Sequence, residues 1–300
     1  MKTPPPRDRG GPRAITQRAT STGARRLLVL TVVAVVAHLV VALPASAATE
    51  SAKSGNLVAT FTYAGTFPRA RHPYLTITRS GRVLYRHPVT SAWCGTQCWP
   101  NLIGTERSAV HVVRLQPNGS PEVVLDLYSG GAHCCSIEQV YSSNSKAGPL
   151  HMSEHDFGDP EARLVPLGAK ESFDFLSADD SFAYAFTDYA ASGMPIEVLS
   201  FSHQKFHNVT RSFPRLISRD AAQWLRAFHD AAPRYDDTVG LVAAWAADEE
   251  MLGHTTLVHT FLDAQATAGH LNSALSPIEP SGQRFVQELT KFLRRHGYSS

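Results

Sequence analysis

The chain has 300 residues, with 28 Lys/Arg against 26 Asp/Glu and only four cysteines. That length is ample to bury a hydrophobic core, which excludes a knottin-like chain held together by its disulfides. The first 47 residues form an address rather than part of the fold. Met1–Arg26 is polar and basic, an apolar run of 17 residues follows from Leu27 to Leu43, and Ala45-Ser46-Ala47 supplies a small-x-small site. This is a secretory signal peptide, cut most simply after Ala47. The run could just span a bilayer, but the cleavage site and the polar segment after it favour removal, leaving no stable membrane span. No cysteine lies at the junction, which excludes a lipid anchor there. Arg25-Arg26 permits Tat export without the usual flanking residues, so Sec and Tat both stay open.

Seven of the basic residues and one of the acidic ones lie in that segment, so the mature chain keeps 21 and 25, and its formal charge turns from +2 to −4. A mildly acidic, secreted chain without a clustered Lys/Arg run gives no expectation of nucleic-acid binding.

From Asn56 to about Thr210 the pattern is strand-like, in short runs split by turn residues. "YLTIT" and "RVLYRH" flank Arg79-Ser80-Gly81 as a hairpin. "AVHVVRL" and "EVVLDLY" flank "QPNGSP" as a second pair, and "SIEQVYS" follows the cysteines. "SFDFLSA", "SFAYAFTDY", "IEVLSFS" and "KFHNVTR" come later. In "SFAYAFTDY" the aromatics Phe182, Tyr184 and Phe186 alternate with small residues, which predicts a strand packed between layers.

From Ser218 the period becomes helical. Ser218 caps a helix with Ala221, Trp224, Leu225 and Phe228 on one face. Asp237 or Thr238 opens a second helix that stops at Gly253, and a third stops at Gly269. Ser281 opens a fourth, buried through Phe285, Leu289, Phe292 and Leu293. The expected class is α+β: an all-β, disulfide-braced repeat domain over residues 48–215, propeller-like or sandwich-like, and a small helical bundle over 218–300.

A faint repeat relates "LQPNGSPEVVLDLYSGGAHCC" to "LGAKESFDFLSADDSFAYAF", with Ser120 and Ser172 in corresponding places. A period near 50 points to stacked or propeller-like β units. "NGSPEVVLDLYSGGAHCC" resembles a degenerate FG-GAP/VCBS-type repeat of secreted bacterial proteins. It is still more similar to a group of uncharacterised secreted proteins with a "DLY(S/T)GGAHCC" segment. Those proteins also carry an upstream cysteine pair and a later "DD-x-FAYAF…AAS…P" segment, matched here by Cys94, Cys98 and residues 179–195. The resemblance covers roughly residues 90–215. It implies a β-propeller-like fold and a binding or adhesive role. The acids of the FG-GAP calcium loop are replaced by Gln116, Pro117, Asn118 and Ser120, which argues against calcium there.

All four cysteines fall between positions 94 and 135, so they brace one locality. In an exported chain disulfides are the default. Neighbouring cysteines in an extended segment point to opposite faces, so two bridges linking Cys94 and Cys98 to Cys134 and Cys135 are expected, in either of two pairings. Paired cysteines leave no thiolate for a metal or a nucleophile. Gly130 and Gly131 are expected to make a tight turn, whose amides would partner the Asp126 carboxylate; Ser129 and His133 are incidental to it.

"HMSEH" at 151–155 formally matches an H-x-x-E-H zinc pattern, but its flanks deny the helix that pattern needs, and no metal or cofactor is expected. Asp179, Asp180 and Asp188 are candidates for ligand or cation contacts, against the commoner role of bonding their own turns. No complete catalytic constellation is present. The sequence therefore supports an exported, non-catalytic binding protein whose partner is an extracellular protein or carbohydrate. The alternative is a secreted hydrolase using carboxylates at Asp179-Asp180 or near His155.

Overall fold

The computed structural model describes residues 47–101, 108–117, 119–145, 148–168, 171–234, 237–273 and 279–299, all within one compact unit that spans residues 44–300. The expected signal segment up to Ser46 and Asn118 of the "QPNGSP" turn lie outside the described residues.

Three antiparallel sheets come first. Strands β1 (Ala48–Ser54), β2 (Leu57–Thr66), β3 (Arg69–Arg79) and β4 (Arg82–Pro88) form a meander in sequence order. The β3–β4 hairpin turns at Ser80 and Gly81, both with positive φ (49° and 80°), as a two-residue turn of the right twist requires. Strand β1 is absent from the sequence reading, which starts the β region at Asn56. Its Ala48, Glu50 and Ala52 are small or charged and signal no buried face. It is held by seven paired positions, from Ala48↔Tyr63 to Ser54↔Leu57.

The second sheet is built around β7 (Glu122–Gly131), with β8 (Cys134–Ser142) and then β9 (His151–Asp156) on one side. Strands β5 (Trp99–Pro100) and β6 (Val110–Val113) share its other edge. Leu125, Leu127 and Ile137 pack against Phe61, Leu75 and Ile77 of the first sheet. On the opposite face Val124 and Val140 pack with Phe175, Leu199 and Phe201 of a third sheet. Burial on both faces explains why "EVVLDLY" reads as a continuous apolar run instead of an alternating one. The third sheet is again a meander: β10 (Arg163–Val165), β11 (Asp174–Ala178), β12 (Ile196–Ser202) and β13 (Lys205–Asn208). None of the three sheets closes on itself among the described residues.

Helices α1 (Pro214–Ala231), α2 (Val239–Met251), α3 (Thr255–Ala268) and α4 (Gly282–Arg295) follow. The class is α+β. Helix α1 begins at Pro214 rather than Ser218, because a proline at the first helical position loses no backbone hydrogen bond. Helix α2 is buried nearly all round, through Val239, Val242, Trp245 and Ala246 among others, since the other helices and the 182–186 segment enclose it.

"SFAYAFTDY" is not a strand. It forms 3-10 turns at Asp180–Phe182 and Tyr189–Ala191, and the Asp179 and Asp188 carboxylates accept from the amides of Ser181 and Ala191. Such local bonding competes with a sheet ladder. Phe182 and Phe186 both turn into the helical core, edge-on to Phe292, while Tyr184 stays 58% exposed. Alternating aromatics can thus be shared between a core and solvent without any strand.

Candidate binding site

"SGGAHCC" lies at the β7–β8 connection. Ser129 Oγ accepts from the amides of Cys135 (2.7 Å) and Gly131 (3.3 Å), and the Tyr128 hydroxyl donates to the Gly131 carbonyl. Gly130 has φ +85°, and a Cβ there would sit 2.9 Å from Pro68 Cβ, so the turn is pressed against the β2–β3 hairpin. Ala132 and His133 are left exposed at the tip.

The disulfides differ from the expected cross-links. Cys94 pairs with Cys98, and Cys134 with Cys135. The sequence argument assumed a trans peptide, which makes neighbouring strand side chains diverge. The Cys134–Cys135 peptide is cis, with the Cα atoms 3.1 Å apart. The shared locality is real, since all four cysteines contact the core between the first and second sheets.

Three loops converge at this turn. From 133–135 comes the His133 ring, 4.0 Å from that of Tyr189 and 6.1 Å from that of Tyr184; the two tyrosine rings are 5.6 Å apart. From 156–161 comes Asp156, whose carboxylate lies within 4.8 Å of both sulfurs. With the sulfurs bonded to each other, no thiolate is available there to ligate a metal. From 179–192 comes Asp180, whose Oδ1 accepts from the Asp159 amide (3.3 Å). Gly158 lets these loops meet: its φ is +71°, and a Cβ would fall 2.1 Å from the Asp180 carboxyl carbon.

The carboxylates crowd one another. Burial raises the Asp180 pKa, the Asp159 amide opposes this, and the charges of Asp156, Asp159 and Asp179 add to the rise. Burial likewise raises Asp156, against the Gly158 amide and His155. Exposed rings beside hydrogen-bond acceptors can stack on an apolar sugar face and bind its hydroxyls. Sequence reasoning assigned His133, Tyr184 and Tyr189 no role. The available signal was that the two segments carrying the family resemblance both border this site.

The other candidates separate. Asp179 turns away from Asp180: its Oδ2 accepts from the Tyr298 hydroxyl (2.6 Å) in a cleft of about 410 Å³ also lined by Asn208, Arg211 and His296. Nearby Glu197 is pushed up to about 7, by burial first and then by the Asp179 charge, while the Asn208 amide opposes the shift. Asp188 caps the 189–191 turn, and Ser192 Oγ, bonded to the Asp188 carbonyl, accepts from the Tyr184 amide (3.1 Å). Asp126 is partnered by His111 Nε2 (3.0 Å) across β6–β7 rather than by the turn amides. "HMSEH" falls on β9, where i and i+4 are roughly 13 Å apart, too far for one metal ion. The His155 pKa is lowered by burial, and its ring packs on Phe157 and Phe206.

Among the described residues no helix is long and apolar enough to cross a membrane. No family model matches the chain, and no solved structure does. An uncharacterized protein of Sinorhizobium fredii is 23% identical over 188 residues, 62% of this chain and 28% of that protein. A probable thylakoid lumen protein of Synechocystis is 24% identical over 140 residues, 45% of this chain and 41% of that protein. The chain therefore matches less than half the length of either relative, and its similarity is to proteins larger than the matched region.

Proposed function

We propose that the protein is exported and binds carbohydrate, without catalysis, at the site formed by His133, Tyr184 and Tyr189 beside Asp156, Asp159 and Asp180. The observation that carries this reading is the ring cluster, with Tyr184 58% exposed, on the same group of loops as the Asp156, Asp159 and Asp180 carboxylates. Export draws support from the signal-like N-terminus and from a relative named for the thylakoid lumen. The FG-GAP/VCBS-like, propeller-like reading draws support from three successive antiparallel sheets packed face to face.

A panel of neutral oligosaccharides tested by calorimetry decides it. The wild type binds at least one member, and Tyr184→Ala weakens that binding at least tenfold, about 1.4 kcal/mol, with an unchanged melting temperature because the ring is mostly solvated. Failure of the wild type to bind any member ends the proposal.

A hydrolase at the Asp179 cleft is the second reading. It is favoured by a carboxyl group with a pKa near neutrality beside another carboxylate, the pattern of an acid–base pair. If the same samples release product, and Glu197→Gln abolishes that release, this second reading replaces the first.

A further inference from the structure

Between Ser51 and Thr105 the chain contains no Asp or Glu, yet it carries Lys53, Arg69, Arg71, Arg79, Arg82 and Arg86. The rest of the expected mature chain must then hold a formal charge of −10. Opposite charges are segregated along the molecule, and the cations belong to the first sheet. That sheet buries one face against β7 and leaves the other uncovered among the described residues. Across the uncovered face run the rows Lys53–Val58–Thr78–Val83 and Ser51–Thr60–Thr76–Arg86.

Lys53, Arg69, Arg71, Arg82 and Arg86 are exposed, and none has an ion-pair partner among the described residues. Glu50, the one acid on these strands, faces inward. Its carboxylate accepts from the Tyr63 hydroxyl (3.1 Å), Ser108 Oγ (2.9 Å) and the Ala109 amide (2.6 Å), so it cannot neutralise the outer face. Beside Arg71 a groove of about 570 Å³ opens between the start of β3 and the Cys94–Cys98 loop, walled by Pro73, Tyr74, Pro88 and Val89.

We propose that this outer face, with the groove at its end, docks a polysaccharide whose sugars carry carboxylates. Guanidinium groups match carboxylates in bidentate geometry. Ser51, Thr60 and Thr76 stand in one row between Arg86 and the β1 edge; Ser51 Oγ donates to Thr60 Oγ1 (3.1 Å), and the row offers hydroxyls to the hydroxyls of a sugar. The tyrosine and proline walls suit sugar ring faces, which a lipid headgroup or a polyol phosphate would leave unused. This surface is separate from the Tyr184 site, and either can fail without the other.

Polygalacturonate is the probe, with dextran as the neutral control and phosphatidylglycerol vesicles as the lipid control. The wild type binds polygalacturonate and not dextran, and raising the salt weakens binding as screening requires. The triple variant Arg69→Gln/Arg71→Gln/Arg86→Gln loses at least tenfold, and the corresponding triple lysine variant, which keeps the charges but not the forked donors, falls between it and the wild type. The proposal is overturned if the wild type does not bind polygalacturonate, if the glutamine variant binds it equally, or if the vesicles are bound more tightly than the polysaccharide. Melting curves of the two triple variants separate lost binding from lost folding.

Discussion

Replacing Gly240 with alanine is expected to destabilise the protein by about 3 kcal/mol, against the usual sign for this change in a helix. In an exposed helix the substitution gains roughly 1 kcal/mol from propensity alone. Gly240 lies in the first turn of α2, against the 189–193 loop. A Cβ there would meet the Ala191 carbonyl oxygen at 2.1 Å and Ser192 Cα at 2.9 Å. Both are backbone atoms and cannot swing away as a flexible side chain would. Gly193 reciprocates, since a Cβ on it would lie 2.7 Å from the Gly240 carbonyl oxygen. Overpacking of this kind typically costs 1–3 kcal/mol, and a backbone clash sits at the upper end. For a chain of this size the expected fall in melting temperature is roughly 6–12 °C. The displaced loop carries Tyr189, so the proposed glycan binding is expected to fall as well. A Gly240→Ala protein that melts at or above the wild-type temperature would show that the loop is not seated on α2.

Asp248→Asn is expected to change the pH dependence of stability by a comparable amount. Asp248 is fully buried in α2, and neither of its oxygens has a hydrogen-bond partner among the described residues. Its pKa is pushed up to about 10, by burial first and then by the charge of Asp220 of α1. A proton on Asp248 resolves the geometry. Its O–H would then have the Asp220 carboxylate to donate to, whose Oδ2 accepts from the Ile196 amide (3.0 Å) and Trp224 Nε1 (2.9 Å). A proton held in that way would tie α1 and α2 to the start of β12.

An unfolded aspartate releases that proton near pH 4. Between there and pH 10 the folded chain keeps a proton that the unfolded chain has lost. Stability is therefore greatest below about pH 4 and falls by up to about 1.4 kcal/mol per unit as pH rises through this window. Asparagine keeps a donor to Asp220 and does not titrate, at the cost of about 1–2 kcal/mol for an unmatched buried amide. Near pH 5 the variant is expected to be no more stable than the wild type, and by pH 8 to be the more stable of the two. The gap between them shifts by about 4 kcal/mol across that range, measurable by urea unfolding. Parallel pH profiles for the two proteins would mean that Asp248 is ionised in the fold.

Helices α1 and α4 were legible because each buries one stripe, and a stripe repeats along the sequence every three to four residues. Leu289 and Leu293 announce α4 as clearly in the sequence as in the core. The hairpins were legible at Ser80-Gly81 because a two-residue turn demands particular residues. "SFAYAFTDY" was misread because alternation records only which side chains are buried. Phe182 and Phe186 satisfy it from 3-10 turns facing a helical core. Strand β1 was missed because its stabilisation comes from a partner strand and not from its own side chains.

The sequence by itself determined the segregation of strands from helices, the clustering of the cysteines and the acid-free stretch that makes the first sheet basic. These are properties of composition and local period, which the chain carries before it folds. Only the tertiary structure decided which cysteines pair, that Asp179 and Asp180 serve opposite sides of their turn, and that His133 meets Tyr184 and Tyr189. Each of these depends on backbone geometry at one residue, or on loops dozens of positions apart being brought together by the packing of three sheets. No periodicity along the chain encodes such a meeting.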